Sequence, residues 1–168
     1  AINKGAKIIN LFVGGSSTND AGLGIAQALG YRFSDLNDNQ IEPIGASLNK
    51  LSKIEYTDHT SFKDIEFNIL TDVTNPLFGF NGAAHVFAKQ KGATQSEIIE
   101  LDRGLINFSE KIYSTFGIDV SQIPGSGAAG GIGASAIPFF NANILSGINT
   151  ILDILDLNSN IAQTLFTC

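Results

Sequence analysis

The sequence predicts an α/β domain, a layered sheet with flanking helices, and three observations carry that reading. Apolar β-branched runs stop abruptly at glycine or polar residues, helical periodicities recur between those runs, and 43% of the 168 residues are apolar against 15% charged. Alternating strands and helices pack in layers, and this balance belongs to a packed domain rather than a disordered chain. An irregular middle keeps an α+β arrangement open. The length suits one domain over residues 1–168. Sixteen acidic against ten basic residues give a net charge of −6. With no Lys/Arg cluster, neither nucleic acid nor an anionic membrane is an expected partner. The one cysteine, Cys168, leaves no intrachain disulfide and no cysteine zinc site, so a reducing, cytoplasmic setting is expected.

Taken in order, Lys7 to Val13 reads as a buried strand breaking at Gly14-Gly15. A polar loop follows. Leu23, Ala26 and Leu29 then recur at helical spacing, with Asn19 or Asp20 as N-cap and Gly30 at the C-terminal glycine position. Tyr31 to Phe33 predicts a short strand, Asp35 to Gln40 a turn, and Leu48, Leu51 and Ile54 a short helix. Ile65 to Leu70 predicts a central strand that delivers Thr71-Asp72-Val73-Thr74-Asn75-Pro76, and Ala83 to Ala88 a short helix. The clearest helix starts at Thr94, where Glu97 completes a capping box, and carries Ile98, Leu101, Leu105, Phe108, Ile112 and Phe116 to Gly117. Beyond the glycine run 125–133, Ala134 to Phe140 predicts a helix, Ile148 to Leu155 another, and Thr164 to Thr167 the start of a strand. The uncharged stretch between Asp119 and Asp153 is broken by glycine and proline and does not read as a membrane span.

Three loops carry the chemistry: Gly14 to Asp20, Asp72 to Gly82 and Gly125 to Gly133. Each lies at a strand end or helix start, where exposed backbone N–H groups can cradle phosphate or carboxylate; the plain alternative is ordinary turn chemistry. No Gly-x4-Gly-Lys-Ser/Thr P-loop and no Gly-x-Ser-x-Gly elbow occurs. Gly125, Gly127 and Gly130 match Gly-x-Gly-x-x-Gly, with Asp153 about 20 residues on, so a dinucleotide-binding oxidoreductase domain is an alternative. Pro124 and the poor strand before it argue against that. His59 and His85 read as structural. Asp72 either coordinates Mg2+ or takes a hydroxyl proton, the two tasks phosphoryl transfer asks of a carboxylate, or it caps a turn. Asp20 is a helix cap or a ligand. Lys91 meets phosphate as a point charge or is simply solvated.

Read together, GGSSTNDAGLGIAQALGYRF (14–33), TDVTNPLFGFNGAAHVFAKQKGAT (71–94) and PGSGAAGGIGAS (124–135) resemble the bacterial glycerate kinase family, glycerate 2-kinase type. That resemblance implies phosphorylation of glycerate to phosphoglycerate, 2-phosphoglycerate expected, with ATP and Mg2+, by a two-domain α/β kinase. The family's Asp-Gly-Gly is Asp20-Ala21-Gly22 here, and its Gly-Pro before Gln-Lys-Gly-Ala is Ala88-Lys89. Its Ser-Phe-Lys-Gly and Gly-Glu-Gly segments do not occur. The chain is therefore expected to be a central piece that partners the rest of its parent and is inactive alone.

On this resemblance Asp72 and Lys91 are the candidate catalytic residues and Asp72 the candidate metal ligand. Gly14, Gly15, Ser16, Ser17, Thr18, Asn19, Asp20, Asn75, Gly125, Ser126, Gly127, Gly130 and Gly131 are the candidate substrate- or phosphate-binding residues. A non-catalytic anion-binding or structural domain is the alternative from another class.

Overall fold

The protein is seen in a computed structural model that describes residues 1–57 and 64–156. Strand β1 (Ile8–Phe12) lies parallel to β4 (Glu66–Leu70), in register from Ile8 opposite Glu66 to Phe12 opposite Leu70, and β4 lies parallel to β5 (Asn143–Leu145). The order β1-β4-β5 puts β4 in the centre. All three carboxyl ends therefore open on one edge, where Gly14, Thr71 and Ser146 follow. In open parallel sheets ligands bind at that edge.

A row of amides pins this register. Asn68 Nδ2 donates to Asn10 Oδ1 at 3.0 Å and to Glu66 Oε1 at 2.8 Å, and Asn143 Nδ2 donates to Asn68 Oδ1 at 3.0 Å. A slip of one residue would turn each asparagine to the opposite face and break the row. Under the other face Phe67, Ile69, Ala128, Ala136 and Ala142 form one apolar cluster with Val13.

Helix α1 (Leu23–Ala28) leads into β2 (Tyr31–Ser34), which pairs antiparallel with β3 (Lys53–Tyr56) in a separate small sheet. Here the expected helix through Leu48, Leu51 and Ile54 is corrected. A 3-10 segment covers Gly45–Lys50, and Ile54 sits in β3 opposite Phe33. The three-residue spacing was also compatible with a turn followed by a strand, and pairing with β2 decided it. The cap of α1 is corrected too. The N-cap is Gly22, at φ 70, while Asp20 acts from two residues upstream, its Oδ1 accepting the Gly22 N–H at 3.0 Å and its Oδ2 the Gly24 N–H at 3.4 Å.

Helix α2 (Gln95–Phe116) has the expected capping box at Thr94 and ends at Gly117, at φ 72. It buries Ile98, Leu105, Phe108 and Ile112 against Leu48, Leu51 and Phe33 in the main core. Helix α3 (Ala128–Phe140) begins inside the glycine run and bridges both cores through Phe139 and Ala136. Phe139 packs among Tyr31, Phe33, Phe108 and Phe116, with ring centroids 4.4 to 6.3 Å away. Helix α4 (Gly147–Ile154) follows β5 and is capped by Ser146, whose Oγ accepts the Asn149 N–H. The expected helix at Ala83 to Ala88 is a π-helical turn, Ala84–Ala88, passing into a 3-10 turn, Lys89–Lys91. His59 and the strand expected at 164–167 lie outside the described residues.

Candidate active site at the carboxyl end of the sheet

Strand β1 ends at Phe12, and after Val13 the Gly14-Gly15 pair turns the chain out of the sheet, Gly15 at φ 73, with open space where either Cβ would stand. From the 3-10 turn Lys89–Lys91, which follows the π-helical turn after β4, Lys91 reaches back to this corner. Its Nζ donates to Ser16 Oγ at 3.1 Å and to the Thr18 carbonyl at 2.6 Å. Burial holds the Lys91 ammonium below the ordinary lysine value, and the nearby Asp20 carboxylate pulls in the opposite direction. Beside the lysine is a small cavity of about 150 Å³, lined by Gly14, Gly15, Ser16, Thr71, Lys91 and Ala129 among others. Residues from all three loops therefore meet in one place.

The third loop meets the first through backbone rather than through side chains. The Ala21 N–H donates to the Gly130 carbonyl at 3.0 Å, and a Cβ on Gly130 would collide with the Thr18 carbonyl. A Cβ on Gly127 would collide with the Pro76 carbonyl, while the Gly127 N–H donates to the Asn75 carbonyl at 3.0 Å. A Cβ on Gly131 would stand 3.0 Å from the Ala21 Cα. These glycines let three loops interlock, and they lie buried behind the cavity that Gly14 and Gly15 open onto. Ser126 is buried, its Oγ without a hydrogen-bond partner among the described residues. Ala129, Gly130 and Gly131 all take left-handed φ values of 52, 71 and 99, which kinks the start of α3 before the right-handed helix resumes.

The dinucleotide alternative does not fit. The segment running directly into Gly125, after α2, forms no strand, and Asp153 sits on α4 rather than at a second strand end.

Asp72 engages the start of α4. Its Oδ1 accepts the Ser146 hydroxyl at 2.8 Å and the Ile148 N–H at 3.3 Å, so the carboxylate serves the N-terminus of α4. Among the described residues no hydrogen bond occupies Oδ2. Asn75 braces its own loop, Nδ2 donating to the Asn81 carbonyl at 2.9 Å. Among the described residues no group of three or more His, Cys, Asp or Glu stands close enough to cage a metal. Mg2+ asks less, since it is commonly held by one or two carboxylates, waters and substrate phosphates. One free oxygen of Asp72 fits that requirement.

His85 faces helix α2. Its Nε2 lies 3.7 Å from Asp102 Oδ2, and Asp102 Oδ1 accepts the Gly79 N–H at 2.9 Å, which ties the second loop to α2. Thr71, Val73, Phe87, Gln90 and Ala129 line the small cavity and were not singled out beforehand. No local pattern marks them. A larger cavity of about 670 Å³ lies elsewhere, between the sheet and α1 and α3, and is walled mainly by apolar residues such as Ile9, Leu11, Phe67 and Ile69. It offers little for phosphate chemistry.

A parallel sheet with its candidate site at the strand carboxyl ends defines an α/β protein of the open-sheet class. A sequence model described as the Glycerate kinase family matches residues 1–167. The chain is 43% identical over 162 residues to "Glycerate 2-kinase" of Escherichia coli (strain K12), covering 96% of this chain and 42% of that protein. It is 40% identical over 153 residues to "Glycerate kinase" of Halalkalibacterium halodurans, covering 90% of this chain and 40% of that one. A crystal structure of a candidate glycerate kinase 2 from Salmonella typhimurium LT2 matches with TM-score 0.87 at 38% identity, over 94% of this chain and 42% of the other. The chain belongs to the glycerate kinase family. It spans about two fifths of the length of the curated relatives it matches.

Proposed function

We propose that this chain is the phosphate- and substrate-handling part of an ATP-dependent glycerate kinase. The observation that carries the reading is Lys91, half-buried and held by Ser16 and Thr18 at the carboxyl edge of the sheet. A fixed ammonium beside an open glycine turn stabilises charge on a transferring phosphoryl group, and it does so without the reorganisation a mobile lysine would need. In the reaction a glycerate hydroxyl oxygen bonds to the γ-phosphorus of ATP, the bond to the bridging oxygen breaks, and the hydroxyl proton passes to a base. ADP and phosphoglycerate leave, with 2-phosphoglycerate the expected isomer.

The backbone N–H groups from Gly14 to Asn19 would receive the transferring group, and Lys91 would neutralise its developing charge. The interlocked run from Gly125 to Gly131 would hold that surface in shape. Asp72, supported by Asn75 in the same loop, would hold Mg2+ or take the proton through its free oxygen. Bound Mg2+ would supply charge neutralisation at the phosphates.

Among the described residues no helix is long and apolar enough to cross a membrane. ATP as donor points to the cytoplasm. The named relatives carry sequence beyond the matched stretch, and we expect the rest of a parent chain to complete the site, so that this chain alone turns over poorly. Misplaced reacting groups cost orders of magnitude in rate. A non-catalytic anion-binding domain is the second reading, favoured by the engagement of Asp72 with α4. Coupled measurement of glycerate phosphorylation by the intact protein, wild type against Lys91→Met, tests the proposal. Equal turnover would remove the lysine from the chemistry, and no turnover by the wild type would favour the second reading.

A further inference from the structure

Ala1 to Lys4 have the geometry of the closing turn of a helix. The chain turns at Gly5, which takes a left-handed φ of 86, and the Gly5 N–H donates to the Ile2 carbonyl at 2.8 Å while the Ala6 N–H reaches back to the Ala1 carbonyl at 3.4 Å. A 3-10 turn does not contain the longer of these bonds; the pair of them around a left-handed glycine is a common ending of an α-helix. A Cβ on Gly5 would meet nothing within 4 Å, so the glycine serves the backbone turn alone. Three residues, Gly5 to Lys7, then lead into β1, an ordinary length of connection for a helix that packs on the strand it feeds.

That turn stands against the cavity of about 670 Å³ between the sheet, α1 and α3, with Ala1, Ile2 and Asn3 in its wall. The floor is the sheet face on which Ile9 and Leu11 of β1 stand opposite Phe67 and Ile69 of β4. Phe67 and Ile69 are buried with Ala136 of α3, whereas Ile9 and Leu11 stay partly exposed and Ala28 of α1 is exposed. Parallel sheets are normally covered on both faces, so an apolar strip left open along an edge strand is a place for another helix. A helix rises about 1.5 Å per residue against about 3.3 Å for a strand, so about two turns running back from Ala1 would span the strip from Ile9 to Leu11. Cavities of this size also take small molecules, but these walls offer little to orient one, and one end already holds the helix turn.

We propose that this apolar cavity is the seat of a helix formed by the residues that precede Ala1 in the parent chain, with Ala1 to Lys4 as its last turn. The chain covers 42% of one named relative and 40% of another, so most of their length lies outside the matched stretch. Ile2 packs on the apolar cluster under the sheet, and residues one and two turns before it would continue that stripe. Hydrogen exchange of the intact protein, read by mass on peptides before Ala1 and on α2, tests this with wild type, Ala28→Trp, Ala28→Ser and Gly5→Ala. In the wild type the residues before Ala1 should exchange at least about 100-fold more slowly than unstructured chain. Ala28→Trp puts an indole into the seat and should cut that protection by about tenfold or more, while Ala28→Ser leaves it unchanged and α2 keeps its own protection. Gly5→Ala, strained at φ 86 without a clash, should cut it by about fivefold or more. If Ala28→Trp also exposes α2, the Gly5→Ala result decides alone. Exchange before Ala1 at the rate of unstructured chain, or protection that neither variant lowers, overturns the inference. So does an intact protein with no residues before Ala1, or a dimer, seen by light scattering, that Ala28→Trp dissociates, since a second copy would then hold the seat. None of these readouts involves glycerate phosphorylation, so they stand apart from the kinase reading.

Discussion

The ammonium of Lys91 lies 2.6 Å from the carbonyl of Thr18, a residue 73 positions earlier in the chain. This bond joins the loop after β1 to the segment after β4, and with Ser16 it fixes the position of the charge at the sheet edge. It also leaves that charge half-buried, with consequences for rate and for pH.

Replacing Lys91 by Met should lower kcat/KM for glycerate phosphorylation by about 10²–10³, the scale of losing one preorganised charge-stabilising group. Lys91→Arg should recover only part, because a planar fork does not reproduce a compact ammonium. Steady-state kinetics on the three proteins checks both.

The pH dependence follows from the direction of the shift. Lys91 is held below its ordinary value of 10.5, chiefly by burial. Activity that needs the charged form should therefore fall off on the alkaline side earlier than an ordinary lysine would allow. Stability moves the opposite way: between the lowered folded value and 10.5 the unfolded chain binds the extra proton, so stability rises with pH across that window. Alkaline-limb kinetics and denaturation midpoints, each compared with Lys91→Met, should show both trends in the wild type alone.

Asp72 and Ser146 can be separated by mutation. Ser146→Ala removes the side-chain cap of α4 and should cost about 1 kcal/mol of stability, while the carboxylate stays. Asp72→Asn keeps an acceptor for the Ser146 hydroxyl and removes the charge. If Asp72 holds Mg2+ or takes the proton, that variant should lose turnover by about 10²-fold or more with little change in melting temperature. The opposite pattern, lost stability with retained turnover, would make Asp72 a helix cap only.

Gly130→Ala and Gly14→Ala should behave oppositely. At Gly130, φ 71 and the collision with the Thr18 carbonyl make alanine a source of strain of at least about 1–2 kcal/mol. Gly14 faces open space and should change stability by less than about 0.5 kcal/mol. Urea unfolding of the two variants decides.

Asn68→Ala should cost about 0.5–1.5 kcal/mol, since it removes the hydrogen bonds of the one buried amide in the row, while the exposed Asn10 and Asn143 are satisfied by water. The same unfolding measurement checks it, with Asn10→Ala as the comparison at the row's end.

Several elements were legible from local pattern. The capping box at Thr94 with its stripe to Phe116, the strands at either glycine or threonine break, and a helix rising from the 125–133 glycines all follow from chemistry between near neighbours in sequence. Ile54 misled because its spacing from Leu48 and Leu51 also suits a helix, and only its partner Phe33 in another strand made it β. Asn10, Asn68 and Asn143 carried no signal, for an amide row exists only once parallel strands set its register.

The amino-acid order by itself determined strands β1, β2 and β4, the long helix and the three loops, because caps, turns and periodicity act over a few residues. Tertiary structure decided how the loops are used. It brought Lys91 to Ser16 and Thr18, turned Asp72 toward α4, spent Gly127 and Gly130 on contacts between loops, and buried the Asn19 amide without a hydrogen-bond partner among the described residues. Those outcomes depend on how separated segments pack around a parallel sheet, which sets distances that no local spacing encodes.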